Sequence, residues 1–149
     1  MTYELIDVRD PADWLAYHAI RRQELFEGKG RHGIYDDNHP MDRAPNAHAY
    51  LLKLNGVPIG TTRLDVRDDG SAVFRLVAIT AAEQGKGHGR VLGAMVEDRA
   101  RAFGVTTLYV NAAGTALGYY RRTGWHDHVW DAAELVALAA NGVQMTKRI

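Results

Sequence analysis

The apolar and polar positions of this chain fall into blocks of distinct period, and the blocks alternate in a definite order. Tyr3 to Val8 reads as a first strand. Asp10 and Pro11 then mark a helix start as N-cap and first helical residue, and Trp14, Leu15, His18, Leu25 and Phe26 form the apolar stripe of a helix ending near Gly28. From Gly28 to Ala47 the period lapses into a polar stretch containing Pro40 and Pro45. That is long for a passive connection in a compact domain, so the stretch is expected to be either a substrate loop or a mobile surface loop.

Periodicity returns with Tyr50 to Leu54, the Asn55-Gly56 turn and Val57 to Val66, a strong hairpin signal. Asp68-Asp69-Gly70 turns the chain into Val73 to Ile79, a short β-branched run that is apolar apart from Arg75 and suits a strand covered on both faces. A glycine-rich turn follows, and then Val91, Leu92, Met95, Val96 and Phe103 recur at helical spacing, so a helix is expected to begin near Gly87. Beyond it the pattern predicts a strand from Thr107 to Val110, a short helix capped by Thr115 and ended by Gly124, and a strand from Trp125 to Trp130. A short helix behind the capping-box-like Asp131 and Glu134, and a last strand from Val143 to Lys147, complete the chain. The sum is an α/β (α+β) mixed sheet: antiparallel strands followed by a strand-helix-strand crossover.

Length and composition narrow the picture. The 149 residues suffice for one domain, spanning 1–149, and no repeat or linker divides them. Basic and acidic residues number 18 each, so no overall field favours nucleic acid or an anionic membrane, and any anion site must be local. The absence of cysteine excludes a disulfide framework and a catalytic thiol. No signal peptide or membrane-length apolar run is visible, which makes a cytoplasmic protein the expectation.

The chemistry concentrates in Gln84-Gly85-Lys86-Gly87-His88-Gly89-Arg90. A helix start carries N–H groups without acceptors and a partial positive charge. Glycines there let a large anion approach, and Lys86 and Arg90 add charge, so the turn reads as a diphosphate cradle at the carboxyl end of a central strand. A P-loop does not fit, because Gly87 rather than Ser or Thr follows Lys86. The dinucleotide fingerprint fits only in part: Arg90 stands where its third glycine belongs, and the next strand ends in Asn111 rather than an acidic residue.

The pattern Gln84-x-x-Gly87-x-Gly89 resembles the acyl-coenzyme A motif of the GCN5-related N-acetyltransferase (GNAT) family. Downstream, Ala116 to Trp125, with its Tyr119-Tyr120 pair and Gly124-Trp125, is similar to that family's second signature. The resemblance covers most of the chain from Tyr50 onward. It implies a GNAT-like fold with splayed central strands, acetyl-CoA as cosubstrate, and direct transfer of an acetyl group to a primary amine of a small molecule or peptide. By the same resemblance, Gln84, Gly85, Lys86, Gly87, His88, Gly89 and Arg90 hold the coenzyme diphosphate, while Val77, Ile79 and Asn111 contact the pantetheine arm. A backbone N–H near Val77 receives the oxyanion, and Tyr120 protonates the departing thiolate as general acid.

Each reading has a plainer one beside it. Tyr120 can be a half-buried helical tyrosine with its hydroxyl at a wet edge, and Asn111 a strand-closing residue. A non-catalytic acyl-CoA sensor would keep the same cradle. No general base is identified: Arg75 sits mid-strand where a carboxylate could stand, with Asp65, Glu83 and His48 as substitutes. His126 and His128 share a strand face without a third ligand, so no metal is expected. The expected partners are the acceptor amine and, at most, a second copy of the chain in a homodimer.

Overall fold

The computed structural model describes residues 1–149. Its elements are β1 (Tyr3–Asp7), α1 (Pro11–Arg21), β2 (Ala47–Leu54), β3 (Val57–Val66), β4 (Ser71–Ile79), α2 (His88–Ala102), β5 (Thr107–Ala112), α3 (Leu117–Arg122), β6 (His126–Asp127) and β7 (Val143–Arg148). The strands form one sheet in the order β1-β2-β3-β4-β5-β7-β6, and only β4 and β5 run parallel. The two-residue turn Asn55-Gly56 joins antiparallel β2 and β3, whereas the parallel pair needs α2 as its crossover.

Strand alternation sends side chains to opposite faces, and each face is covered differently. On one face Tyr50, Leu52, Leu64, Phe74, Leu108, Val110 and Met145 pack with Leu92 and Val96 of α2 and Tyr120 of α3. Complete burial of a side chain such as Leu92 stabilises by about 1.5–3 kcal/mol. On the other face Tyr17 and Ile20 of α1 cover Ala49, Leu51 and Ala78. Where α1 ends, the second face is filled by charged side chains.

The segment after α1 differs from expectation. The helix passes without a break into a π-turn, Arg22–Phe26, and a 3-10 turn, Glu27–Lys29, and left-handed Gly30 ends it. The polar stretch beyond is fastened to the body. Tyr35 places its hydroxyl 2.5 Å from Nδ1 of His18 and lies under the Arg22 guanidinium, and the turn Pro40–Arg43 buries Asp42. Asp37 pairs with Arg22, and Asp36 accepts the N–H of Asn38.

Three further elements depart from the pattern. Thr115 lies inside a 3-10 turn, Gly114–Ala116, so Ala116 rather than Thr115 precedes α3. The strand expected from Trp125 to Trp130 shrinks to His126–Asp127, because the Gln144 side chain, rather than a strand ladder, takes the N–H groups of Trp130 and Asp131. Behind Asp131 come two 3-10 turns instead of a helix. Asp131 caps Ala133 as expected, but Glu134 reaches Arg75 across the sheet and completes no capping box.

Candidate active site

The parallel pair β4 and β5 is in register only from Ser71 opposite Thr107 to Phe74 opposite Val110. Past that point β5 stays paired with β7 and β4 with β3, so the two central strands part. The cause lies in β4. Between Arg75, opposite Arg63, and Ala78, opposite Thr61, it holds one residue more than β3, and Leu76 takes φ +53. A left-handed non-glycine residue costs on the order of 1–3 kcal/mol, and such strain persists only where the surroundings impose it. Here Thr62 Oγ1 donates to the Arg75 carbonyl at 3.0 Å and holds the bulge in place. Arg75 and Asn111 are therefore the first residues beyond the fork, one on each arm.

The glycine-rich turn stands at the end of β4. Gly85 has φ +76 and Gly87 φ +87, and a Cβ on either would meet no protein atom within 4 Å. Both lie against open space. No backbone N–H from Gly85 through Arg90 has an acceptor within the protein, and α2 begins without a side-chain cap or an acidic first turn. A row of unpaired donors at a helix start, with no Cβ in front of it, has the chemistry to receive an anion.

The side chains around this turn divide. Gln84 bends back to donate to the Ile79 carbonyl at 2.8 Å, which fixes the exit from β4. His88 is buried, with Nδ1 2.7 Å from the Tyr3 hydroxyl and Nε2 3.0 Å from Glu83, so only its backbone faces the cradle. Lys86 stays exposed, 3.6 Å from Glu83. The π-turn reaches the same region: Glu24 accepts the N–H of Ala81 at 3.0 Å.

A cavity of about 100 Å³ opens between β4, α2 and α3 and is lined by Val77, Gly89, Arg90, Tyr120 and Trp125 among others. Four of the residues singled out in the sequence thus meet here. Tyr120 is 7% exposed, its ring packs edge-on against Trp125, and burial pushes its hydroxyl well above the usual tyrosine range. Tyr119, which no motif distinguished by role, donates its hydroxyl to the Gly89 carbonyl at 2.9 Å and clamps α3 to the start of α2. A Cβ on Gly93 would come within 3.0 Å of that hydroxyl, so the clamp depends on glycine there. Ile79 packs at the edge of the same core.

Asn111 lies on the opposite face. Its Oδ1 accepts from Gln144 Nε2 at 2.9 Å and its Nδ2 is 3.4 Å from Glu134 Oε1. Glu134 also receives both terminal nitrogens of Arg75 and one of Arg67. Burial pushes the Glu134 carboxyl up, but the Arg75 hydrogen bond and charge outweigh it and leave the group below the usual carboxylate range. Of the substitutes for a base, Asp65 is enclosed between Arg63 and Arg75, Glu83 is engaged with His88 and Lys86, and His48 stacks on Phe103. None of the three stands free at the fork. Glu134 was missed because it is distant in sequence and sits in a segment whose pattern suggested a capping box.

The family model for the acetyltransferase (GNAT) family matches residues 14–125. An acetyltransferase of GNAT family from Staphylococcus aureus Mu50 superposes with a TM-score of 0.78 at 11% identity, over 99% of each chain. The ribosomal-protein-S18-alanine N-acetyltransferase from Escherichia coli gives 0.75 at 16% identity, over 99% of this chain and 94% of that one. The PaiA N-acetyltransferase from Thermoplasma acidophilum, in complex with coenzyme A, gives 0.74 at 12% identity over 100% of both. At these identities the structural likeness is one of fold. A search of curated proteins finds no match.

Proposed function

The chain belongs to the acetyltransferase (GNAT) family, and we propose that the fork between β4 and β5 is where it moves an acetyl group from acetyl-CoA directly onto a primary amine. It is an acetyl-CoA-dependent N-acetyltransferase, and a sensor without turnover is not favoured. The observation that carries the assignment of the site is the row of unpaired N–H groups from Gly85 to Arg90 beside the unpaired edge of β4. The residues present fit coenzyme A: the donors match a diphosphate, glycines leave it room, and the narrow cavity suits a slender arm.

Acetyl-CoA supplies the activated thioester. Beyond Phe74 the backbone of β4 has no β5 partner, and Val77 and the Ile79 N–H are left to pair with the pantetheine arm as an added strand would, the Ile79 carbonyl being engaged by Gln84. A backbone N–H near Val77 stabilises the oxyanion as the N–C bond forms. When the C–S bond breaks, Tyr120 gives its proton to the sulfur, and the proton shed by the acylated nitrogen passes to solvent, from which the tyrosinate is reprotonated. Burial raises the Tyr120 hydroxyl, and the same loss of solvent disfavours a thiolate left in that cavity, which favours passing the proton to sulfur. The amine comes from the α1 face, where Arg75, Asn111 and Glu134 meet, having lost its proton to solvent.

No helix is long and apolar enough to cross a membrane. A cytoplasmic enzyme acting on a small molecule or a peptide amine is the reading we favour. The test follows free thiol release from acetyl-CoA over a panel of amines. Release that requires an amine, and disappears in Gly87→Val, is the expected result. Amine-independent release, or a fully active Gly87→Val, would refute the assignment of the cradle.

A further inference from the structure

The charged side chains on the α1 face form a single alternating series. Asp42 lies between Arg21 at 3.0 Å and Arg63 at 2.8 Å. Asp65 lies between Arg63 at 2.8 Å and Arg75 at 3.0 Å. Glu134 lies between Arg75 and Arg67. Four guanidinium groups therefore enclose three carboxylates, and both ends of the series are cations. The excess positive charge cannot be expressed at the Arg21 end, whose side chain is only 4% exposed. It is expressed at Arg67, whose side chain is 34% exposed.

Arg67 is prepared for a ligand. Its guanidinium lies over the rings of Trp130 at 5.2 Å and Tyr109 at 5.8 Å, which restricts its orientation. Within the protein it makes one hydrogen bond, from Nη2 to Glu134 at 3.3 Å, and its Nε and Nη1 groups remain as donors. Asp69, in the adjoining turn, holds one carboxylate oxygen on Ser71 and acts on Arg67 by its charge without a direct contact. The Glu134 carboxylate that Arg67 touches also touches Arg75 and Asn111, the two arms of the fork. Arg67 therefore stands one carboxylate away from the place where the amine must arrive, on the same face.

We propose that the acceptor carries an anionic oxygen group, a carboxylate or a phosphate, that Arg67 binds while the amine is presented at the fork. Polyamines and simple alkylamines are then poor acceptors, because they lack the anionic group that Arg67 holds. This rests on the acetyl-transfer reading above. Arginine is suited to the task, since its planar fork matches either anion in a bidentate pair.

The experiment compares matched acceptors by thiol release from acetyl-CoA: α- and ω-amino acids and aminoalkyl phosphates, each against its amide or the amine lacking the anionic group. The expected kcat/KM ratio within a pair is at least about tenfold in favour of the anionic member, the equivalent of one retained ionic contact. The carboxylate and phosphate arms identify which anion the site takes. Arg67→Met, which keeps the stem on Trp130, is expected to bring the ratio near one with the KM for acetyl-CoA unchanged, and Arg67→Lys to restore part of it. Its pair with Glu134 is half-exposed and worth about 0–1 kcal/mol, so folding is not at risk. Equal or better use of the uncharged members, or an Arg67→Met enzyme that keeps the preference, overturns the proposal while leaving acetyl transfer intact. No thiol release with any amine would overturn the transfer reading and this inference with it.

Discussion

Replacing Tyr120 by Phe removes one oxygen atom from the cavity and nothing else. The hydroxyl has no hydrogen-bond partner within the protein, and the ring contacts with Trp125 and Tyr119, at 5.5 and 5.2 Å, are made by carbon. A hydroxyl without a protein partner has no intramolecular hydrogen bond to lose, so the stability of Tyr120→Phe is expected within about 0.5 kcal/mol of the parent. Catalysis should respond differently. A general acid typically supplies about a hundredfold to ten-thousandfold, and the loss belongs in kcat because the proton is needed only as sulfur departs. Tyr119→Phe should show the reverse signature. It removes the 2.9 Å bond to the Gly89 carbonyl, which costs about 0.5–1.5 kcal/mol, and it loosens the clamp on the start of α2. Melting curves and single-turnover thiol release on both variants form the assay. A Tyr120→Phe enzyme with unchanged single-turnover rate, or one destabilised more than Tyr119→Phe, refutes the reasoning.

Gly87→Val places a β-branched residue at φ +87 and a side chain in front of the unpaired amides. It should lower the melting temperature modestly and abolish the upward shift that acetyl-CoA gives the parent, whereas a normal shift would locate the diphosphate elsewhere. Acid stability should depend on Asp42. Burial pushes its carboxyl up, but Arg21 and Arg63 outweigh this and hold it below its ordinary 3.8, as Arg75 holds Glu134 below 4.5. Groups depressed in the folded state stabilise above their ordinary values and lose that contribution as pH falls through the folded ones. Denaturant titrations should therefore show stability declining below about pH 4.5. Asp42→Asn should flatten that decline while lowering the whole curve by about 3–5 kcal/mol, because Arg21 is left buried without a carboxylate and Arg63 keeps only Asp65.

Local signals carried most of the framework. Val57–Val66 matched its run because the Asn55-Gly56 turn fixes where the hairpin begins, and α2 starts at His88 because the glycines before it cannot continue a helix backwards. The features that shape the site left no such mark. The bulge at Leu76 carries no glycine, since its positive φ is imposed by pairing with β3 and by Thr62. The series of ion pairs joins residues that are distant in sequence, so each charge taken alone looks like a solvated surface group. The same holds for the stretch after Gly28, whose anchors Tyr35 and Asp42 find partners only once α1 and β3 are in place. Of the residues singled out for the site, Val77, Gly89, Arg90 and Tyr120 share one cavity. The Gln84 side chain holds the backbone at Ile79, and those of His88 and Asn111 are engaged by other side chains.

The unpaired amides of the glycine-rich turn also bear on how the enzyme responds to ionic strength. With Lys86 drawn toward Glu83, the proposed diphosphate site offers dipoles fixed in the backbone, which act across a few ångströms, and one exposed cation without an ion pair, Arg90. Mobile ions screen charges over a Debye length of about 8 Å at physiological ionic strength and act far less on contacts made at hydrogen-bond distance. Arg67 is the opposite case, an exposed charge addressing an exposed anion. Added salt should therefore separate the two halves of the site, raising the KM for the acceptor more steeply than the KM for acetyl-CoA.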